Sequence, residues 1–300
     1  MDNFDPPIGI AEVLEPGLRR IVAPNPSPMT YRGTNTYLVG HSDLAVIDPG
    51  PDTPSHLEAV LHAVEPTQKI SHIVVTHSHL DHSPLARPLA EATGAPVLAF
   101  GPSDAGRSAV MAQLVAAGMS GGGEGIDHGF EPDIILSDGA SIAGADWELS
   151  AIHTPGHLGN HICLGWNDVC LTGDHVMGWA SSLVSPPDGD LTDFMLSCDR
   201  LAQQKWRTFF PGHGAPIAEP NARLDWLIAH RISREVAILS ALDAGPATAA
   251  AIARSVYTDT PAALLPAATR NVLAHLIDLM GKSQTRALGA LTADTTFERT

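Results

Sequence analysis

Residues 70–82 read ISHIVVTHSHLDH, a near-continuous apolar run of strand length that ends in three histidines and an aspartate. Such a run, too short for a helix, is the pattern of a strand buried on both faces. His77 and His79 are two apart, so an extended or turning backbone can aim both at one metal ion. Asp81 and His82 follow closely enough to reach a second ion alongside.

Upstream, TNTYLVG (34–40) and DLAVIDPG (43–50) read as adjacent strands closed by Gly and Pro turns. SHLEAVLHAVEP (55–66) has helical spacing at Leu57, Val60, Leu61 and Val64, with Ser55 as its N-cap and Pro66 beyond its end. Downstream, SPLARPLAEATG reads as a helix ending at Gly94, and APVLAF as the next strand. This alternation implies a sheet with helices packed on it. Ser108 to Met119 reads as one helix, and SGGGEGIDHG (120–129) as an insertion or lid.

The segments DIILSDGASI, DWELSAIHTPGH, HICLGWNDVCLTGDH and WRTFFPGHG give further strands and turns. Three more candidate ligands follow strands: His157 after AIHTPG, Asp174 after CLTG and His213 after FFPG. With the first four they make five imidazoles and two carboxylates, with no thiolate. That donor set suits two divalent ions, zinc first, with iron or manganese as substitutes. A metal pair needs a bridging group, and Asp174, on a turn between Gly173 and His175, suits that role. A water shared by the metals would be acidified towards pKa ~7 and attack a carbonyl or phosphoryl centre. Asp81 could take its proton. His161 and His175, beside ligands, read equally as proton donors or as structural histidines. His72 in the buried strand, and His56 and His62 on a solvated helix, read as structural. Met177–Asp190 reads as a pocket lip, where Trp179 is either lip or core.

The chain has 300 residues, 44% hydrophobic, with a formal charge of −16. No stretch reaches the ~18 apolar residues a membrane span needs. The acidic, Pro-broken start MDNFDPPIGIAEVLEPG is unlike a secretory signal. Three scattered cysteines make neither a disulfide framework nor a zinc knuckle, so Cys163 and Cys170 read as small core residues in a reduced, cytoplasmic protein. Only nine of the 17 basic residues but 26 of the 33 acidic ones precede residue 223, so that part carries about −17. Such a surface disfavours nucleic acid without excluding a local basic groove.

The motifs HSHLDH, HTPGH, TGDH and PGHG together resemble the metallo-β-lactamase fold superfamily over about residues 18–218. The runs TNTYLVG, DPGPD, GDHVMGW, SPPDGD and LIAHRISREVAIL resemble its lactamase-β-like-protein-2 branch. The resemblance implies a four-layer αββα sandwich with the site at one edge between the sheets. It also implies that His77, His79 and His157 hold the first metal, and Asp81, His82 and His213 the second, with Asp174 bridging.

Read from the residues, Pro220–Leu242 is a long helix with Leu224, Leu227, Ile228 and Ile232 on one face, and helical stretches follow at TAAAIARSVY and ATRNVLAHLIDLMG. The expected organisation is a catalytic domain at 1–220, a connecting helix at 221–244 and a small helical domain at 245–300, which the branch resemblance implies is winged-helix-like. Five basic residues after 245 favour a structural or substrate-shaping tail over a DNA reader. The superfamily hosts several chemistries, so fold alone does not choose among them. By resemblance, antibiotic-hydrolysing members generally lack the bridging carboxylate that Asp174 supplies, and the nearest branch implies single-strand RNA cleavage. The acidic balance and an aromatic content of 5% weigh against RNA. The expected function is therefore metal-dependent hydrolysis of a small ester, thioester or lactone. RNA or nucleotide phosphodiester cleavage is the alternative, with β-lactamase and non-catalytic binding behind. The oligomeric state is left open.

Overall fold

The structure, a computed structural model, describes residues 4–121 and 125–300. Residues 122–124 of the expected insertion lie outside them. Seven strands pair in sequence order in the first sheet: β1 (Glu12–Glu15), β2 (Leu18–Val22), β3 (Asn35–Val39), β4 (Asp43–Ile47), β5 (Lys69–Val74), β6 (Val97–Ala99) and β7 (Ile134–Ile135). β1 to β4 are antiparallel, and β4 to β7 are parallel. The second sheet holds β8 (Ser141–Ala143), β9 (Glu148–His153), β10 (Ile162–Trp166), β11 (Val169–Gly173) and β12 (Thr208–Pro211), in the order β12-β11-β10-β9-β8.

Strand periodicity sorts these residues into layers. Tyr37, Val39, Ala45, Ile47 and Val74 face the second sheet, where they meet Ile162, Leu164, Leu171 and Phe210. Their neighbours Leu38, Leu44, Val46 and Ile73 face outward, against α1 (Pro54–His62) and α2 (Ala86–Thr93). Cys163, Cys170 and Phe209 point out of the other side, towards α4 (Leu191–Ala202) and α5 (Pro220–Leu242). A one-residue slip in any of these strands would exchange its inner and outer faces, so burial on both sides pins the register. The result is the expected αββα sandwich.

Local chemistry explains the helix ends. Gly94 closes α2 at φ +75°, and Ser108 caps α3 (Ala109–Ala116) by accepting from Met111 N–H. Ser55 is not the cap of α1, because Thr53 holds that position and Pro54 starts the helix, where a missing N–H costs nothing. His56 is not solvated either: it is fully buried, its Nε2 2.8 Å from Thr36 Oγ1. Ile232 leaves the apolar face of α5 and is 52% exposed.

After α5 come α6 (Ala249–Val256) and α7 (Leu265–Gly281), which pack with Phe297 into a separate core. A three-stranded sheet, β13 (Ala247–Thr248), β14 (Thr285–Ala287) and β15 (Thr296–Arg299), completes this part. These strands are too short to show a sequence period. Among the described residues, no helix is long and apolar enough to cross a membrane.

Candidate metal centre

The two sheets are stitched where their strands end. Ile162 N–H donates to Thr76 O at 2.9 Å, and Asn35 N–H to Gly212 O at 2.7 Å. Chain leaving β5 carries His77, His79, Asp81 and His82; chain leaving β9, β11 and β12 carries His157, Asp174 and His213. All seven reach the same edge.

They gather as two groups, His77, His79 and His157 in one, and Asp81, His82, Asp174 and His213 in the other. Within each group the candidate ligand atoms all lie within 4.8 Å of one another. In the first, His79 Nδ1 lies 2.9 Å from His77 Nε2 and 3.1 Å from His157 Nε2. In the second, His213 Nε2 lies 3.1 Å from Asp81 Oδ2 and 3.3 Å from Asp174 Oδ2, with His82 Nε2 3.3 Å away. Asp174 touches both groups, its Oδ1 3.5 Å from His82 Nε2 and its Oδ2 3.8 Å from His157 Nε2.

The far side of four of the five rings is held. His82 Nδ1 donates to Asp48 Oδ2 at 2.9 Å, His157 Nδ1 to Leu183 O at 2.7 Å, and His213 Nδ1 to Gly33 O at 3.1 Å. His77 Nδ1 lies 3.0 Å from Thr76 Oγ1, which itself donates to Asp48, so the imidazole is the donor there. Each such bond fixes the tautomer and turns the opposite nitrogen, with its lone pair, into the cluster.

Electrostatics separate the two groups. Burial, joined by the neighbouring imidazoles, pushes His77 well below the usual histidine range, and burial with His157 takes His79 down to about 3. These rings are neutral. Burial also works against a charged His213, but the carboxylates of Asp174 and Asp81 outweigh it and push it up to about 10. His82 is raised in the same way, against burial, by Asp81, Asp174 and Asp48. Protons at Nε2 of His82 and His213 offset the two carboxylates, and a cation bound there would take their place.

The site fits divalent cations. Lone pairs of neutral imidazoles converge at about 3 Å, and the buried Oδ1 of Asp174 makes no hydrogen bond among the described residues. Nitrogen and carboxylate oxygen are ligands of zinc and of its first-row substitutes. Gly212 leaves the room: a Cβ there would sit 2.4 Å from Asp174 Oδ1.

His161 and His175 lie behind the cluster. His161 Nε2 accepts the Asp174 N–H at 3.2 Å, so its Nδ1 carries the proton towards Thr154 Oγ1 at 2.9 Å. His175 packs against Phe194 with Nε2 3.5 Å from Cys198 Sγ, and burial lowers it to about 3. Neither ring lines the cavity over the cluster. Sequence reasoning passed over Asp48, which accepts from Thr76 N–H, Thr76 Oγ1 and His82. The available signal was its place in the DPG turn, one residue past β4.

The cavity measures about 490 Å³ and is floored by His79, Asp81, His157 and Asp174. Met29, Met177 and Leu183 form one part of its wall; Leu264, Pro266, Ala267 and Arg270 bring the C-terminal part to the same opening. Met177 and Leu183 belong to the segment expected as a lip, whereas Trp179 stacks on Tyr31 at 5.0 Å.

Comparison with known proteins agrees with this fold. Residues 29–213 match the metallo-beta-lactamase superfamily, and residues 248–290 the beta-lactamase associated winged helix domain. A beta-lactamase-like protein 2 homolog of Drosophila melanogaster is 32% identical over 281 residues, 89% of each chain. An atrochrysone carboxyl ACP thioesterase of Paecilomyces divaricatus is 29% identical over 79% of this chain and 68% of its own. A solved metallo-beta-lactamase family protein of Thermus thermophilus superposes with a TM-score of 0.76 at 26% identity, covering 96% of this chain and all of that one. The chain belongs to the metallo-beta-lactamase superfamily, as a hydrolase-type enzyme carrying the associated winged helix domain.

Proposed function

We propose that this enzyme hydrolyses a small ester, thioester or lactone at a pair of divalent ions, zinc in the first instance. His77, His79 and His157 would hold one ion, Asp81, His82 and His213 the other, and Asp174 both. Bound there, the ions supply a nucleophilic water at neutral pH and an electrophilic anchor for the substrate's carbonyl oxygen. The chain's own residues do the rest. Asp81 is the most solvent-open of the seven, its side chain 26% exposed, and can take a proton and pass it outward. His161 acts as a positioning group, fixing the Asp174 backbone, and Asp48 orients His82.

The observation that carries the acyl reading is the cavity above the cluster. Its walls are largely apolar, its volume lies in the range of small-molecule sites, and among its described lining residues Arg270 is the single Lys or Arg and no Phe, Tyr or Trp appears. A single-strand RNA site calls for a basic groove and stacking rings. The name of the Paecilomyces relative, a thioesterase, supports the same choice. Three free, buried cysteines suit work in a reduced cytoplasm. We place the unit boundaries at 1–220, 221–244 and 245–300, a division supported by the winged helix match at 248–290.

The test is a side-by-side assay of a thioester, an aliphatic lactone, bis(p-nitrophenyl) phosphate and a single-stranded RNA, with metal analysis of the same protein. Acyl hydrolysis with about two ions per chain is expected. Salt-sensitive RNA cleavage without acyl activity would overturn the reading.

A further inference from the structure

The loop 182–186 lies between the ligand cluster and the C-terminal part of the chain, and both sides bind it. On the cluster side, the Leu183 carbonyl accepts from His157 Nδ1 at 2.7 Å. Ser182 Oγ reaches the carbonyls of Asp174 and His175. On the other side, Asn271 of α7 accepts at Oδ1 from Val184 N–H at 3.0 Å and from Arg231 Nη1 at 3.0 Å. Arg231, on α5 and only 2% exposed, donates through Nη2 to the Ser182 carbonyl. Arg270 of α7 donates to Ser185 Oγ at 2.8 Å and to the Pro186 carbonyl.

Ser182 and Val184 are thus fixed from α5 and α7, while Leu183 between them holds His157 and Ser182 holds the Asp174 turn. The Leu183 carbonyl shares its peptide plane with the Val184 N–H tied to Asn271, and the preceding peptide is tied through the Ser182 carbonyl to Arg231, so it has little freedom to rotate. A carbonyl held still holds the imidazole that donates to it.

We propose that Asn271 and Arg231 are positioning residues of the metal centre, so that the C-terminal part tunes the affinity for the ion at His157. This rests on the cluster binding metal, as argued above. Asn271 serves as a shared acceptor for one backbone amide and one guanidinium. An acceptor oxygen is what the position requires, and asparagine's amide nitrogen is not used in either bond.

The experiment compares Asn271→Leu, which removes the acceptor at similar volume, with Asn271→Asp, which keeps it. Leu279→Ala, in the C-terminal core away from the loop, controls for stability. Zinc affinity is read by chelator competition, and ligand geometry by the visible spectrum of the cobalt-substituted protein, with the Tm of the metal-free protein alongside. Asn271→Leu is expected to weaken zinc binding about 10–100-fold, as loss of an outer hydrogen bond does, and to shift the cobalt bands. Asn271→Asp is expected to restore both. An unchanged affinity and spectrum in Asn271→Leu, or equal losses in all three variants in step with Tm, would overturn the proposal. Should Asn271→Leu not fold, Arg231→Lys, which keeps the charge but cannot fork to two acceptors, replaces it on the same criteria. A wild-type protein that binds no divalent ion would instead remove the metal reading beneath it.

Discussion

Asp48 Oδ2 and His82 Nδ1 lie 2.9 Å apart, and the same carboxylate accepts both the N–H and the hydroxyl of Thr76 at the mouth of the HSHLDH loop. One buried side chain therefore aligns the end of β5 and the imidazole at the loop's far end. Asp48 adopts φ +51°, a left-handed conformation that Asn also tolerates. Asp48→Asn should fold, yet zinc affinity and turnover should drop by about 10–100-fold. Chelator competition and kcat at saturating zinc measure the two effects; an affinity within twofold of wild type would show that the carboxylate does not orient His82.

Asp174 stands within 4 Å of imidazoles from both ligand groups. Asp174→Ala should bind about one ion fewer per chain and lose at least about two orders of magnitude in kcat, the scale for losing a group that organises developing charge. Elemental analysis beside steady-state kinetics decides it. One tightly held ion in the wild type, with activity intact in the variant, would sink the dinuclear arrangement.

Gly212 offers a test that adds atoms rather than removing a ligand. A methyl there would lie 2.4 Å from Asp174 Oδ1 and 2.8 Å from His82 Cε1. Gly212→Ala should keep its circular dichroism while metal content and turnover fall, the latter roughly tenfold or more, as for a small misplacement of a reacting group. Full metal content with native kcat would mean that the cluster relaxes around the methyl.

Away from the cluster, Asp193 in the first turn of α4 is raised to about 6, by burial first and then by the charge of Asp190. A carboxyl whose folded pKa exceeds its unfolded value penalises the fold above pH ~6. The penalty is relieved as pH falls from ~6 towards ~4. Asp193→Asn should therefore raise stability at pH 8 by about 1 kcal/mol, after discounting for the group's partial exposure. The gain should shrink by pH 5. Urea melts at the two pH values test the sign, and a gain that grows on acidification would contradict it.

Much of this was legible in the sequence because strand ends and ligand motifs coincide. ISHIVVT running into His77, and CLTG into Asp174, gave sheet and site together. Two kinds of feature were hidden. Helix-face assignments failed where a long-range contact decides: His56 looked solvated on α1, but β3 brings Thr36 to it from 20 residues away. The groups behind the ligand motifs were harder to read: Asp48 shows only its place in the DPG turn and Ser182 carries no local pattern, since their roles exist only once two strands or a loop and a helix meet. The strands of the small third sheet are likewise two to four residues long, below the length at which alternation can be read.

The division of the ligands between the sheets has a consequence for how this molecule comes apart. Four of the seven follow β5 of one sheet, and three follow strands of the other. Ions gripped by both halves would act as rivets through the sandwich, since neither half alone offers either candidate group in full. Shearing the sheets and releasing the metal then become one event, so thermal tolerance should climb with free zinc concentration by mass action.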